Sequence, residues 1–188
     1  MNVVINYWLA VIIVSVIGTL AHFLYDWAHH NKIIGLFVAV NESTWEHIKI
    51  AITPTLLWSL YDGFIYGANP NYFFGKFLSL MALAIVIPTL FYSYRRFTKH
   101  EVLIVDIAIF YITILLSQLL FYVIISAPPA PFILQYLSCI GTFIFFGAYM
   151  TLTLAPLHNF IFEDPTNGKY GFRAHTHLIK RIKKHNKK

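Results

Sequence analysis

The chain has 188 residues, of which 58% are hydrophobic and only 12% are charged. Soluble domains carry about a quarter charged residues, so this composition excludes an ordinary soluble domain and indicates an integral membrane protein. The single cysteine, Cys139, excludes an internal disulfide, and the formal net charge is +6 with histidine neutral.

The apolar runs predict an all-α, polytopic transmembrane helix bundle with about five spans. The first run has no basic region before it and no small-residue cleavage site, so we expect it to remain in the protein as a span. Each predicted helix is about long enough for a hydrocarbon core of roughly 30 Å at 1.5 Å per residue. In chain order, the helices cover Val4–Ala28, Ser43–Tyr66, Tyr72–Tyr94, Glu101–Ser126 and Pro131–Ala155.

The distribution of lysine and arginine orients these helices. Basic residues lie between the third and fourth helices and after the fifth, whereas the stretches 1–6, 67–71 and 127–131 contain none. The positive-inside rule therefore predicts an outer amino terminus and a cytoplasmic carboxyl terminus. The apolar stretch 33–40 is too short to cross a membrane, so a re-entrant or interfacial element there would leave the topology unchanged.

The motif "HFLYDW", His22–Trp27, places two ionisable side chains near the cytoplasmic end of the first helix. His22 and Asp26 are four residues apart and share a helix face. An ionisable side chain within a span costs roughly 3 kcal/mol or more unless it is paired or hydrated, so a functional site is the default hypothesis. A purely structural His–Asp pair is the alternative.

The motif "VNESTWEH", Val40–His47, begins the second helix from the same side and adds further polar groups. Nitrogen and carboxylate ligands together suit zinc, manganese or iron better than a thiolate-preferring ion. The predicted metal ligands are His22, Asp26, Glu42, Glu46 and His158, and the predicted acid–base residues are Asp26, Glu42, Glu46 and His47.

A structural explanation of the same motif stands beside the metal hypothesis. Ser43 and Glu46 match the S-x-x-E capping box, in which each side chain satisfies a free amide at the helix start. Acidic residues also suit the positive end of the helix dipole. Capping explains Glu42 less well, and it does not explain His22 or Asp26.

The last part of the chain, residues 157–188, is predicted to be a basic cytoplasmic tail after a membrane bundle of residues 1–156. Asn167–Gly168 suits a tight turn with positive φ. The final stretch interleaves apolar with basic residues, which predicts an interfacial helix on anionic lipid headgroups rather than nucleic-acid binding. His175 and His177 form an H-x-H pair that could contact a metal, but an exposed, solvated pair is favoured.

Three stretches, "HFLYDW", "VNESTWEH" and "FEDPTNGKYGF", resemble the landmarks of an uncharacterised prokaryotic family of small multi-pass membrane proteins. The likeness covers nearly the whole chain in this order, and the middle motif is the most specific. The resemblance implies only that these stretches are shared landmarks of the family. We expect a multi-pass protein of a prokaryotic plasma membrane. The family has no established activity, so the resemblance assigns no catalytic role.

Three functions remain open from the sequence. The first is a metal-dependent enzyme that acts on a lipid or polyprenyl substrate at the cytoplasmic leaflet. The second is a small transporter or channel for protons, metal ions or a polar solute, with Asp62 and Gln118 extending a polar route. The third is a non-catalytic membrane partner protein, and each is compatible with an oligomer. Because the strongest polar cluster lies at one side of the membrane, a one-sided site is favoured over a pore.

Overall fold

The computed structural model describes residues 2–175, so the predicted interfacial helix of the tail and His177 lie outside the described residues. Within them the structure is all-helical, apart from one isolated bridge between Glu163 and Tyr170, which confirms the predicted class. The helices are α1 (Val3–Trp27), α2 (Lys32–Gly35), α3 (Thr44–Tyr66), α4 (Tyr72–Thr98), α5 (Leu103–Ser126) and α6 (Phe132–Leu154), and a 3-10 turn covers Gly171–Ala174.

The five long helices are those that the apolar runs predict. The largest difference is at the end of α4, which continues past the predicted Tyr94 to Thr98. No glycine or proline interrupts this stretch, and the helix ends where Lys99 adopts a left-handed conformation with φ of 61°.

Four helices, α1, α4, α5 and α6, are long and apolar enough to cross a membrane. Large apolar side chains are exposed on their surfaces, such as Trp8 on α1 and Phe143 on α6. Exposed apolar surface of this kind is typical of a membrane-facing helix. Helix α3 has 23 residues but carries charged side chains and is not among the four, so a fifth span stays a prediction.

The chain forms two compact units. The first unit contains Met1–Gly18 and Ala51–Phe145, and the second contains Thr19–Ile50 and the chain from Phe146 onward. Helices α1, α3 and α6 therefore contribute one part to each unit.

In the first unit, α4 packs closely along α5. A Cβ on Gly75 would lie 3.1 Å from Cδ2 of Phe121, so a larger residue would push the two helices apart. The hydroxyl of Ser117 donates a hydrogen bond to the carbonyl oxygen of Ser79 at 2.9 Å. This small-residue contact joins two helices that each bury a stripe of side chains.

A buried ion pair joins α3 and α4 in the first unit. Nζ of Lys76 lies 2.5 Å from Oδ2 of Asp62, and the hydroxyl of Tyr72 donates to Oδ1 of Asp62 at 2.8 Å. Asp62 is 0% and Lys76 is 3% exposed. The ammonium group also lies 3.8 Å from the ring centroid of Phe121, in a cation–π contact. Asp62 is therefore buried within the protein and does not face lipid.

Removing one member of this pair should destabilise the protein. Asp62→Asn leaves the Lys76 charge desolvated without its carboxylate, which costs about 3–5 kcal/mol for buried pairs. We expect a lower midpoint of thermal unfolding in detergent. Adding Lys76→Met to Asp62→Asn should recover much of the loss, because no buried charge then remains unpaired.

The matched control is Glu101→Gln, which breaks an exposed ion pair with Arg95 at 3.1 Å. Exposed pairs contribute about 0–1 kcal/mol, so this variant should unfold near the midpoint of the parent. An Asp62→Asn protein as stable as the parent would show that the buried pair has no structural role.

Candidate functional site

Hydrogen bonds to backbone carbonyls of the segment after α6 fix the motif Val40–His47, within the second unit. The amide of Trp45 donates to the carbonyl oxygen of Ile161 at 2.9 Å. Nδ2 of Asn41 donates to the carbonyl oxygen of Gly171 at 3.0 Å. The ring of Trp45 packs on Phe162, with ring centroids 5.0 Å apart. The second and third sequence motifs therefore form one structural element.

A tight turn shapes the third motif for this contact. Oδ1 of Asp164 accepts hydrogen bonds from both the amide and the hydroxyl of Thr166, at 2.8 and 2.5 Å. Its Oδ2 accepts from the amide of Glu42 at 3.2 Å. Gly168 has φ of 67°, which confirms the turn that Asn167–Gly168 predicts. One carboxylate thus closes the turn and binds the start of α3.

Glu46 is committed to a second buried ion pair. Its Oε2 accepts from Nζ of Lys49 at 2.8 Å and from the amide of Val40 at 3.0 Å. Nζ of Lys49 also donates to the carbonyl oxygen of Gly35 at 2.8 Å. Glu46 is 1% and Lys49 is 0% exposed. The pair holds the chain around α2 against the first turns of α3.

The capping box is only half formed at this helix start. The amide of Glu46 donates to Oγ of Ser43 at 3.4 Å, as the box requires. The reciprocal bond is replaced, because the amide of Ser43 donates to Oδ1 of Asn41 at 2.8 Å. Asn41 thereby frees the Glu46 carboxylate to pair with Lys49.

Asp26, His30 and His175 form a cluster of metal-ligand type. Oδ1 of Asp26 lies 2.8 Å from Nε2 of His30 and 3.2 Å from Nε2 of His175. One ligand atom from each residue lies within 4.8 Å of the others. An ionised carboxylate only accepts, so both Nε2 atoms carry protons in this arrangement, and a bound metal would replace them.

The backbone after α1 brings His30 back towards Asp26. His29 and His30 have φ of 52° and 62°. Non-glycine residues in the left-handed region cost roughly 1–3 kcal/mol each and persist only where surrounding contacts hold them. The amide of His30 donates to the carbonyl oxygen of Tyr25 at 3.0 Å. Strain at this position supports a functional constraint on His30.

The ring of Tyr25 contacts both imidazole rings of the cluster, those of His30 and His175. Its ring centroid lies 5.3 Å from that of His30 and 5.0 Å from that of His175, both edge-on. A Cβ on Gly35 would lie 2.9 Å from Cε2 of Tyr25 and 2.5 Å from Cε1 of Phe172. Only glycine lets the chain near α2 pass so close to these supporting rings.

The cluster is accessible from one side. His175 is largely buried, whereas the side chain of Asp26 is 67% exposed. Two imidazole nitrogens and a carboxylate oxygen are a ligand set for zinc, manganese or iron, and three protein ligands leave a fourth position for water or substrate. The arrangement is therefore suited to a reactive metal centre rather than a closed structural one.

A second group contains three of the residues that the sequence singles out. The rings of His22 and His47 have centroids 5.6 Å apart, and Nε2 of His47 lies 3.8 Å from Oε2 of Glu42. Of the other predicted ligands, Asp26 lies in the first cluster and Glu46 in its ion pair with Lys49.

His158 lies apart from the three ligands of the first cluster and stacks on Tyr170, with ring centroids 4.5 Å apart. The hydroxyl of Tyr170 donates to Oε2 of Glu163 at 3.1 Å. Desolvation, and then this hydrogen bond, raise the pKa of Tyr170 above its usual value. His158 is thus part of the turn that carries the third motif.

The sequence motifs did not indicate His30, and the favoured prediction for His175 was an exposed side chain. The predicted first helix ends at Ala28, so a partner for Asp26 four residues later was not expected. The prediction that His175 is exposed and solvated is wrong, because it is only 9% exposed and pairs with Asp26. The recurrence of histidine at positions 29, 30 and 175 was the available signal.

These features define an all-helical protein with four helices able to cross a membrane and a histidine–carboxylate cluster in its second unit. The chain belongs to a family of unknown function, DUF6512, whose model matches residues 2–172. This match confirms the expectation of an uncharacterised family over nearly the whole chain. No curated protein and no solved structure matches the chain.

The geometry of Glu46 predicts a stability effect. Glu46→Gln keeps an acceptor for the amide of Val40 but leaves the buried Lys49 charge unpaired, which costs about 3 kcal/mol or more. We expect a clear fall in the midpoint of thermal unfolding. Glu42→Gln is the matched control, because the Glu42 side chain is 52% exposed, and its midpoint should not change. A Glu46→Gln protein that keeps the stability of the parent but loses bound metal would instead make Glu46 a ligand.

Proposed function

We propose that the protein is a membrane-embedded, metal-dependent enzyme in which Asp26, His30 and His175 bind one divalent metal ion. The observation that carries this proposal is the convergence of three ligand atoms within 4.8 Å. Two of these residues come from the end of α1 and the turn after it, and the third comes from the end of the described chain. Their conformations, including the strained His30, favour a built site over a chance surface contact.

The surroundings of the cluster favour an amphiphilic substrate. The apolar side chains of Phe23, Trp27 and Ile33 are 49%, 60% and 71% exposed. Phe23 and Trp27 stack on each other on α1, with ring centroids 6.0 Å apart. A polar cluster next to exposed aromatic rings suits a molecule with a polar head and an apolar tail. The substrate class is therefore a lipid or polyprenyl ester that the enzyme meets at the membrane surface.

The residues of the protein hold the metal ligands in position and provide polar groups for this reaction. A divalent ion in such a site polarises a phosphoryl or carbonyl oxygen and lowers the pKa of bound water. Asp26 is the most exposed of the three ligands, so its side marks the direction from which substrate enters. Tyr25 holds both imidazoles in place through edge-on contacts. The positive-inside rule favours a cytoplasmic position for this side, and the proposed location is the cytoplasmic leaflet of a prokaryotic plasma membrane.

Metal content tests the proposal directly. Purified protein in detergent is loaded with zinc or manganese, desalted and measured by elemental analysis. His30→Ala and Asp26→Asn should each remove one equivalent of metal, because each takes away one of three ligands. They should also abolish metal-dependent hydrolysis of phospholipid or polyprenyl phosphate in mixed micelles.

The control is His100→Ala, which removes an exposed histidine in the connection between α4 and α5. It should keep the metal content and activity of the parent. A parent protein that binds no metal above the detergent blank would contradict the proposal, as would a folded His30→Ala protein with unchanged metal content.

A further inference from the structure

The hydrogen bonding of His47 fixes which of its ring nitrogens is free. Nδ1 lies 3.0 Å from the carbonyl oxygen of Ser43. A carbonyl oxygen can only accept, so Nδ1 carries the proton and donates it. In the neutral ring, Nε2 then presents a lone pair. Metal-bound histidines characteristically donate their second ring N–H to a backbone carbonyl in this way.

The free nitrogen of His47 faces a carboxylate without a hydrogen bond. Nε2 lies 3.8 Å from Oε2 of Glu42, beyond the roughly 2.7–3.2 Å of an N–H···O bond. With a protonated ring this contact is an ion pair, and with a neutral ring the nitrogen lone pair and the carboxylate can both bind one cation. Ligand atoms bound about 2.0–2.1 Å from one tetrahedral ion are themselves roughly 3.4 Å apart. A small rotation of the exposed Glu42 side chain would therefore let Nε2 of His47 and Oε2 of Glu42 bind one metal ion.

The ring of His22 lies next to that of His47, with ring centroids 5.6 Å apart. Two imidazoles on one tetrahedral ion have centroids roughly 5 Å apart, given about 2.0–2.1 Å from metal to nitrogen. His22 also lies within electrostatic range of both Glu42 and His47. The end of α1 and the start of α3 therefore bring two imidazoles and a carboxylate near one another.

We infer that His22, Glu42 and His47 bind a second divalent transition-metal ion, separate from the one at Asp26. None of these three side chains belongs to the first cluster, so the inference goes beyond the proposed function. Two nitrogens and a carboxylate oxygen again suit zinc, manganese or iron. His22 precedes Asp26 by four residues, or about 6 Å along α1, so the two sets of ligands are separate. In this site, Glu42 and His47 of the VNESTWEH motif bind the same metal ion.

Zinc stoichiometry tests this inference together with its independence from the first site. The protein is titrated with zinc chloride in detergent, and bound zinc per chain is measured after desalting. The parent should bind two equivalents. His47→Ala and His30→Ala should each bind one, and the double variant none. Retention of one equivalent in His47→Ala also shows that this variant is folded.

A parent that binds one equivalent, which His30→Ala loses and His47→Ala keeps, would overturn the second site and leave the proposed function standing. The reverse pattern would support the second site and contradict the first. One equivalent lost in both single variants would mean a single shared site, and would overturn the inference.

Glu42→Gln gives a test that does not depend on the folding of His47→Ala, because the Glu42 side chain is exposed. It should weaken binding of the second zinc ion by at least tenfold while leaving the first ion and the unfolding midpoint of the metal-free protein unchanged. Glu42→Gln and His22→Ala proteins with the zinc titration curve of the parent would overturn the second site.

Discussion

The docking of Val40–His47 onto the segment after α6 is the contact on which the second unit depends. The backbone bond from Trp45 to Ile161 and the side-chain bond from Asn41 to Gly171 hold the two motifs together. This contact lies at the start of α3, and it also holds the segment that leads to His175, which contacts Asp26. The structural bonds at the helix start and the ligand cluster at the end of α1 are therefore parts of one arrangement.

Two kinds of ionisable site stand out among the described residues. Lys76 with Asp62, and Lys49 with Glu46, are buried pairs whose hydrogen bonds are met within the protein. Burial makes each charge dependent on its partner, which is a structural role. Asp26 and Glu42 are instead exposed and face histidines. This division supports a one-sided site more than a transport route through Asp62, because its carboxylate is occupied by Lys76 and Tyr72.

The family assignment says which proteins this chain is related to, whereas the geometry says which chemistry its residues can perform. The family model covers residues 2–172 and describes a family of unknown function, so it carries no chemistry to this chain. The proposed chemistry rests on donor types, distances and exposure around Asp26 and His47. The proposed substrate class rests on the exposed aromatic rings of Phe23 and Trp27, on the same part of α1 as Asp26.

The sequence by itself determined the helices and the turn at Asn167–Gly168, because long apolar runs and local backbone preferences act over a few residues. It also singled out Asp26, His22, Glu42 and His47, because ionisable groups beside apolar runs are costly unless they have a role. Only the tertiary structure decided which partner each charge takes. Glu46 pairs with Lys49 because Oδ1 of Asn41, rather than the Glu46 carboxylate, accepts the hydrogen bond from the amide of Ser43. His30 reaches Asp26 through a left-handed turn beyond the predicted end of the first helix, and His175 reaches it from a segment distant in sequence.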